Sequence, residues 1–297
     1  VQNCAEEADA HEPVGTTRSG NPVRVLRAYL ECDFRIWTGF IEPHFFAGFS
    51  GGPKACVPGL ADLGTILRNH STANIDSPDA AWGKTAGNPI WEELNEAASL
   101  AGPAFLLNVA LNRDKQVTAV FAGQPDEAHS AGCDYVKSRA MVGVAGPYDI
   151  VITSNSGYPL DLNLYQSVKG LSAAARIVKP GGVIAAAADC WDGFPEHGLY
   201  RQLLVESDSP AALLETLHRP GFSARDAWQA QIHARICMKA QVYFYSDALT
   251  DEQIRSAFMR PCRDIAGLVT RLARQADPAP TVCVLPEGPL TIPCLPE

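Results

Sequence analysis

Apolar and polar positions alternate through VRVLRAYLE (residues 23–31) and FRIWTGFIE (34–42), a period of two that predicts strands. The opening VQNCAEEADAHEPVGTT reads as a strand leading into a polar loop. LADLGTILRNH (60–70) predicts a short helix that brings His70 to its C-terminal end. NPIWEELNEAASLAG (88–102) predicts a helix, with Pro89 near its start and Gly102 at its end. AFLLNVALN (104–112) and VTAVFAG (117–123) read as strands, and QPDEAHSAGCDYVKSRAMV (124–142) as a helix. A Gly- and Pro-bearing break at GVAGP (143–147) predicts a boundary between domains 1–144 and 145–297. Beyond it YDIVITS (148–154) is a buried strand. Asp161 is expected to cap a helix over LNLYQSVKGLSAAARIV, and KPGG to stop it at Pro180. VIAAAADC (183–190) then completes a βαβ unit. ARDAWQAQIHARICMKA (224–240) is helical, QVYFYS (241–246) a strand, residues 251–275 helical around Pro261, and PTVCVLPEG (280–288) a closing strand. Strands alternating with helices predict an α/β fold of two domains with mostly parallel sheets.

Composition narrows the function more than the fold. The 297 residues are 46 % apolar and 19 % charged, an ordinary globular mix able to bury a sizeable core. A net charge of −9 argues against nonspecific nucleic-acid binding. No apolar run reaches the length of a membrane span, and no secretory signal is visible. The nine cysteines are scattered, odd in number and without a C-x-x-C pair, which predicts reduced thiols in a cytoplasm.

One stretch carries chemistry. EPHFFAGFSGGPKACVPGL (42–60) holds His44, a Gly-Gly pair and Lys54, and His70 follows sixteen positions after the lysine. Pro43 keeps its predecessor extended, so the preceding strand is expected to end there, with His44 at its exit. Pro53 and Ala55 flank Lys54, so a Walker A loop is excluded. G-x-G-x-x-G is absent, and the histidines are too far apart for a zinc helix of the H-E-x-x-H kind. Taken singly, each histidine reads as core or surface, Gly51-Gly52 as a turn, and Lys54 as a solvated cation. Further on, Tyr165, Gln166 and Lys169 lie within about one helical turn, with Gln166 and Lys169 at i,i+3. An amide and an ammonium together can hold a carboxylate and a neighbouring oxygen, while a solvated helix face is the plainer reading. Trp228 alone reads as a core tryptophan.

Together these segments resemble the nickel-dependent lactate racemase family. The likeness runs through IEPHFFAGFSGGPKACVPGL, the NH at His70, GYPLDLNLYQSVKGLSAAARIV, AWQAQIHARI and VLPEGPLTIPCLP, in order along nearly the whole chain. The resemblance implies a nickel-pincer nucleotide: a pyridinium-3,5-bisthiocarboxylic acid mononucleotide carrying nickel, joined covalently to Lys54. It implies His70 as the nickel ligand and His44 as one of two acid/base histidines. It implies Gly48, Ser50, Gly51 and Gly52 as cofactor-binding, in a cleft between the two domains. Tyr165, Gln166, Lys169 and Trp228 are implied in the substrate pocket, with Gln166 and Lys169 also counted in the catalytic set. The implied partners are a small 2-hydroxy acid and cofactor-biosynthesis proteins, with no nucleic acid and no membrane.

The family's carboxylate-gripping arginine and second acid/base histidine have no match here. His11, Arg18 and Arg24 lie outside the matching motifs, and the chain reads as the C-terminal two-thirds of such a protein. The expected activity is a 2-hydroxy-acid racemase or epimerase working by hydride transfer through a 2-keto acid, reduced in the chain taken alone. The rival expectation is a noncatalytic cofactor-binding fragment or homologue that lacks the first-domain catalytic residues. An unrelated α/β enzyme using Lys54 for Schiff-base chemistry is a third.

Overall fold

Strand pairing separates the chain into two kinds of sheet. The computed structural model describes residues 1–296, which form one unit at Val1–Ala140 and a second from Met141 onward. In the first unit β1 (His11–Thr16) and β2 (Pro22–Leu26) form an antiparallel ribbon. The chain then turns into α1 (Arg27–Leu30), so only the first half of the alternating run at 23–31 is a strand. β3 (Ile36–Phe40) follows, then the two-residue strands β4 (Pro43–His44) and β5 (Gly48–Phe49), paired antiparallel. A 3₁₀ turn at Gly52–Ala55 leads to α2 (Leu63–Asn69), α3 (Thr72–Asp76) and α4 (Pro89–Leu100). β6 (Phe105–Leu111), β7 (Val117–Gly123) and α5 (Pro125–Ala140) close the unit. β3 joins β6 in parallel and β6 joins β7 antiparallel.

α4 shows why these residues fold as they do. Asn88 caps it by accepting from the N–H groups of Ile90 and Trp91, and Pro89 presets the first turn. Ile90, Leu94, Ala97 and Ala98 fall on one face and are all buried. Gly102, at φ +95°, ends the connection to β6.

The second unit is built around a five-stranded parallel sheet in the order β12-β11-β10-β9-β13. Its elements are β8 (Met141–Gly143), β9 (Tyr148–Ser154), α6 (Leu164–Ala175), β10 (Val178–Ala187), α7 (Tyr200–Val205), α8 (Pro210–Leu217) and α9 (Ala227–Lys239). β11 (Gln241–Tyr245), α10 (Asp251–Ser256), β12 (Arg260–Pro261), α11 (Ile265–Gln275), β13 (Val282–Leu285) and β14 (Ile292–Cys294) complete it. β14 pairs with β8 in a separate two-stranded sheet. Val151, Ile184 and Phe244 of the sheet are buried against Leu164, Val168 and Leu171 of α6. Each such side chain contributes about 1.5–3 kcal/mol on full burial.

Five expectations change here, the first being that the opening residues run through a loop and a 3₁₀ turn into β1 rather than as a strand into a loop. Asn163, not Asp161, caps α6, accepting from Gln166 N–H; Asp161 instead receives the Asp189 N–H. α6 ends at Ala175, and KPGG lies inside β10, where the register shifts between Val178 and Val183. Pro261 is in edge strand β12 rather than a helix, a position that needs no ladder donor on its open side. Met141 and Val142 pair as a strand instead of extending α5.

Candidate active site

In the first unit His44, Lys54 and His70 come together around one aromatic ring. β3 ends at Phe40, three residues before Pro43, and His44 sits in the tight β4–β5 hairpin. Its Nδ1 accepts the Ala47 N–H at 3.2 Å, and its Nε2 lies 3.2 Å from Lys54 Nζ. The Phe46 ring stands edge-on to His44 at 4.5 Å and to His70 at 5.1 Å, with Lys54 Nζ 5.6 Å from its centre. His70 is the C-cap of α2, its own N–H donating to Ile66 O. Burial, with the nearby Lys54 charge, pushes the His70 imidazole down to about 3, so it is neutral at ordinary pH and competent as a metal ligand.

The glycines permit close chain-to-chain approach. Gly48 (φ +78°) lies against the Lys84 carbonyl, where a Cβ has no room. A Cβ on Gly51 would reach Asn108 Oδ1 at 2.5 Å, and one on Gly52 the His129 ring at 2.7 Å. Both neighbours hold the loop: Gly52 N–H donates to Asn108 Oδ1 (2.8 Å), and His129 Nε2 meets Ser50 O (2.9 Å). Ser50 Oγ donates to Phe40 O and accepts from Glu42 N–H. The Gly52 N–H and the Ser50 hydroxyl are therefore engaged within the fold. His129 is buried and held below its ordinary value, hence neutral, and stacks on Trp91 at 6.2 Å. Asn88 adds a third tie, donating to Phe46 O at 2.8 Å.

The second unit brings together its own set. The chain leaves β9 toward β10 on one side while β13 lies on the other, so the carboxyl end of β9 is the sheet's topological switch point. α6 starts there, and Tyr165, Gln166 and Lys169 occupy its first turn and a half, all partly exposed. Trp228 Nε1 donates to Tyr165 Oη at 3.1 Å, while the Gln229 amide, one residue on, donates to Tyr165 O. Tyr165 is thus held at both ends by α9. Burial raises its phenol well above the ordinary tyrosine range, so it stays protonated.

Sequence reasoning missed Phe46, Asn108, His129, Asn155 and Gln229. A polar residue inside the apolar strand FLLNVAL was the available signal for Asn108; the others carry none of comparable clarity. Among the other histidines, His11 bonds Glu7 O and Asn3 Oδ1, and His233 bonds Tyr200 Oη and Ala257 O, both buried. His197 is exposed. Arg24 reaches Ala8 O and His11 O, and Arg18 lies near Glu96. A surface depression of about 690 Å³ beside α4 is lined by Arg18, Trp91, Glu92 and Glu96, and by none of the predicted site residues. Among the described residues there is no cluster of three His, Cys, Asp or Glu able to hold a metal, and no helix long and apolar enough to cross a membrane.

Each unit has relatives among known proteins. Residues 144–292 match the lactate racemase C-terminal domain, and residues 1–83 the lactate racemase N-terminal domain. The lactate racemase of Thermoanaerobacterium thermosaccharolyticum is 40 % identical over 289 residues, covering 97 % of this chain and 68 % of its own length. That of Lactiplantibacillus plantarum is 38 % identical over the same shares. The solved lactate racemase apoprotein from T. thermosaccharolyticum superposes with a TM-score of 0.92 at 38 % identity, over 99 % of this chain and 70 % of that one. A Thermotoga maritima protein structure, 17 % identical, shares the fold at a TM-score of 0.75, over 100 % of this chain and 78 % of that one. The chain belongs to the lactate racemase family and is an isomerase.

Proposed function

We propose that this protein, carrying a nickel-pincer nucleotide on Lys54, interconverts the configurations of a lactate-like 2-hydroxy acid. The observation that carries the reading is the 3.2 Å contact between Lys54 Nζ and His44 Nε2 beside the buried, neutral His70. The donor set fits such a group. Among the described residues no group of three or more His, Cys, Asp or Glu is assembled, as the three or four protein ligands of ordinary zinc would require. A metal held by His70 would take further donors from a bound group, as a nickel-pincer nucleotide would supply. When bound, that group supplies the remaining nickel donors and an acceptor for the substrate's α-hydrogen.

The chain's own residues do the rest. Nδ1 of His44 is engaged as an acceptor, so the neutral ring carries its proton on Nε2, facing Lys54. Acylation takes the neutral amine, so Lys54 must first give up its proton; the amine that remains can accept from Nε2 and form the amide-type bond. Once Lys54 is acylated, Nε2 is the atom that exchanges a proton with the substrate hydroxyl. Phe46 keeps water from one side of both imidazoles. In the second unit Lys169 offers charge and Gln166 an amide to the carboxylate and its neighbouring oxygen. Trp228 holds Tyr165 beside them. Loading requires cofactor-biosynthesis proteins, and nine free cysteines suit a reducing cytoplasm.

Protein made alongside the cofactor-producing enzymes tests this. The Lys54 peptide should carry added mass, and metal analysis should find nickel. Unmodified Lys54 in nickel-bearing protein that racemises lactate would overturn the reading.

A further inference from the structure

The turn that carries Gln166 and Lys169 is held by a side chain to which no role has been given. Asn155 directly follows β9 and is 2 % exposed. Its Oδ1 accepts the Gly170 N–H at 2.8 Å, and its Nδ2 donates to Gln166 O at 3.2 Å. Gln166 O and Gly170 N are the two ends of a single i→i+4 step of α6. The amide of Asn155 thus bonds both ends of that step, as a peptide group would. Its Nδ2 also bonds Leu160 O, tying the loop before the helix to the same point.

The surroundings are shaped for this insertion. A Cβ on Gly170 would meet Ser154 O at 2.5 Å and Asn155 Oδ1 at 2.9 Å. Gly288 packs on the far side, where a Cβ would meet Ser154 O at 2.6 Å and Gly170 Cα at 3.0 Å. Two glycines therefore let the end of β9 press against the helix backbone. A buried side chain bonded to both ends of one helical step fixes where the neighbouring side chains emerge. Lys169 precedes Gly170, and Gln166 supplies the bonded carbonyl, so both candidate substrate groups lie on the clamped turn.

We infer that Asn155 is a positioning residue: its buried amide, bonded to Gln166 O and Gly170 N, sets the orientation of Gln166 and Lys169 toward the substrate carboxylate. The inference rests on the substrate reading given above for those two residues. Asn155 does not touch the substrate itself.

Three kinds of variant separate the possibilities, with lactate as the probe, its binding followed by ligand-observed NMR on the full chain. Asn155→Leu removes all three bonds at similar volume and should weaken lactate binding about tenfold, the scale of one displaced buried hydrogen-bond partner. Gly170 amide exchange should accelerate in the same variant. Asn155→Asp keeps the acceptor and places a carboxylate oxygen against Gln166 O. Protonating that carboxyl restores a donor, so binding by Asn155→Asp should recover as pH falls toward 5, whereas Asn155→Leu should not. Circular dichroism over the same pH range reads the folded fraction, and recovery of binding at a constant folded fraction separates positioning from a general loss of stability. If Asn155→Leu does not fold, the pH response of Asn155→Asp alone decides. Unaltered lactate affinity in a folded Asn155→Leu, or no recovery in Asn155→Asp, overturns the inference while Lys169→Ala still binds weakly. Unaltered affinity in both Gln166→Ala and Lys169→Ala overturns the substrate reading itself, and the inference with it.

Discussion

The two units present reactive groups by opposite means. The first takes His44 from a two-residue strand, Lys54 from a 3₁₀ turn and His70 from a helix cap, three segments with little regular structure of their own. The second places Tyr165, Gln166 and Lys169 on one regular helix at the switch point of a parallel sheet. In the first, accuracy comes from buried polar side chains: Asn108 and His129 pressed against Gly51 and Gly52, and Asn88 bonded to Phe46 O. In the second, the helix ladder supplies the frame, and Asn155 and Gln229 fix it at two points. An irregular segment has no internal hydrogen-bond pattern to restore it after a disturbance, so its buried ties matter more than those of a helix.

The largest expected effect is at Lys54. Lys54→Ala should abolish covalent cofactor attachment and racemisation, read by intact mass and by chiral chromatography of lactate. His44→Ala should leave the adduct and its nickel in place and reduce turnover by roughly 10²–10⁴-fold, the usual worth of a positioned acid/base group. His70→Ala should do the converse, keeping the adduct and losing nickel, so the pair shows whether anchor and metal ligand are separate residues.

The comparison itself is tested by stability. Gly52→Ala places a methyl against the His129 ring at a φ of +55°, and should cost about 1–3 kcal/mol in denaturant unfolding. His129→Leu should cost about 1–2 kcal/mol through the unpaired Ser50 carbonyl. If Gly52→Ala proves harmless, the irregular loop is not held as tightly as its contacts require.

The smallest contrast is in acid sensitivity. Burial holds His233 of the second unit at about 4, while an unfolded histidine titrates near 6.5. Between those values the unfolded chain binds a proton that the native one does not. Stability should therefore fall as pH drops from about 6.5 to 4, by at most about 3 kcal/mol for this group. His129, lowered by the same cause, acts with the same sign in the first unit. His233→Gln should flatten that part of the unfolding-versus-pH curve.

How much of this was legible in the sequence follows from the same contrast. The helix at 88–102 and the strands at 104–112, 117–123 and 148–154 were readable because their apolar spacing matches the period of the element formed. The strand and helix around Lys179-Pro180 were misjudged because β10 accommodates Pro180 and two glycines at a register shift, where the ladder is already interrupted. Pro261 misled for a related reason, since an edge strand tolerates it. The grouping of His44, Lys54 and His70 was suggested by motif, but Phe46 as the ring between them was not, because a phenylalanine in an apolar run carries no positional signal. Asn108, His129 and Asn155 act through tertiary contacts with residues 56, 79 and 11–15 positions away, which no local pattern encodes.

Positions 155 and 170 cannot drift independently over generations. A helix interior ordinarily favours alanine over glycine by about 1 kcal/mol, so random substitution should tend to convert Gly170. Here the new methyl would strike Ser154 O and Asn155 Oδ1, and Gly288 closes the space on the other side. Replacing Asn155 first would remove the buried side chain that ties the Gly170 N–H and the Gln166 carbonyl to the end of β9. Either single step is a loss, and only a joint change that also moves the end of β9 leads to an ordinary helix. A lineage that retains the Gln166–Lys169 turn is thereby held to the asparagine and both glycines together.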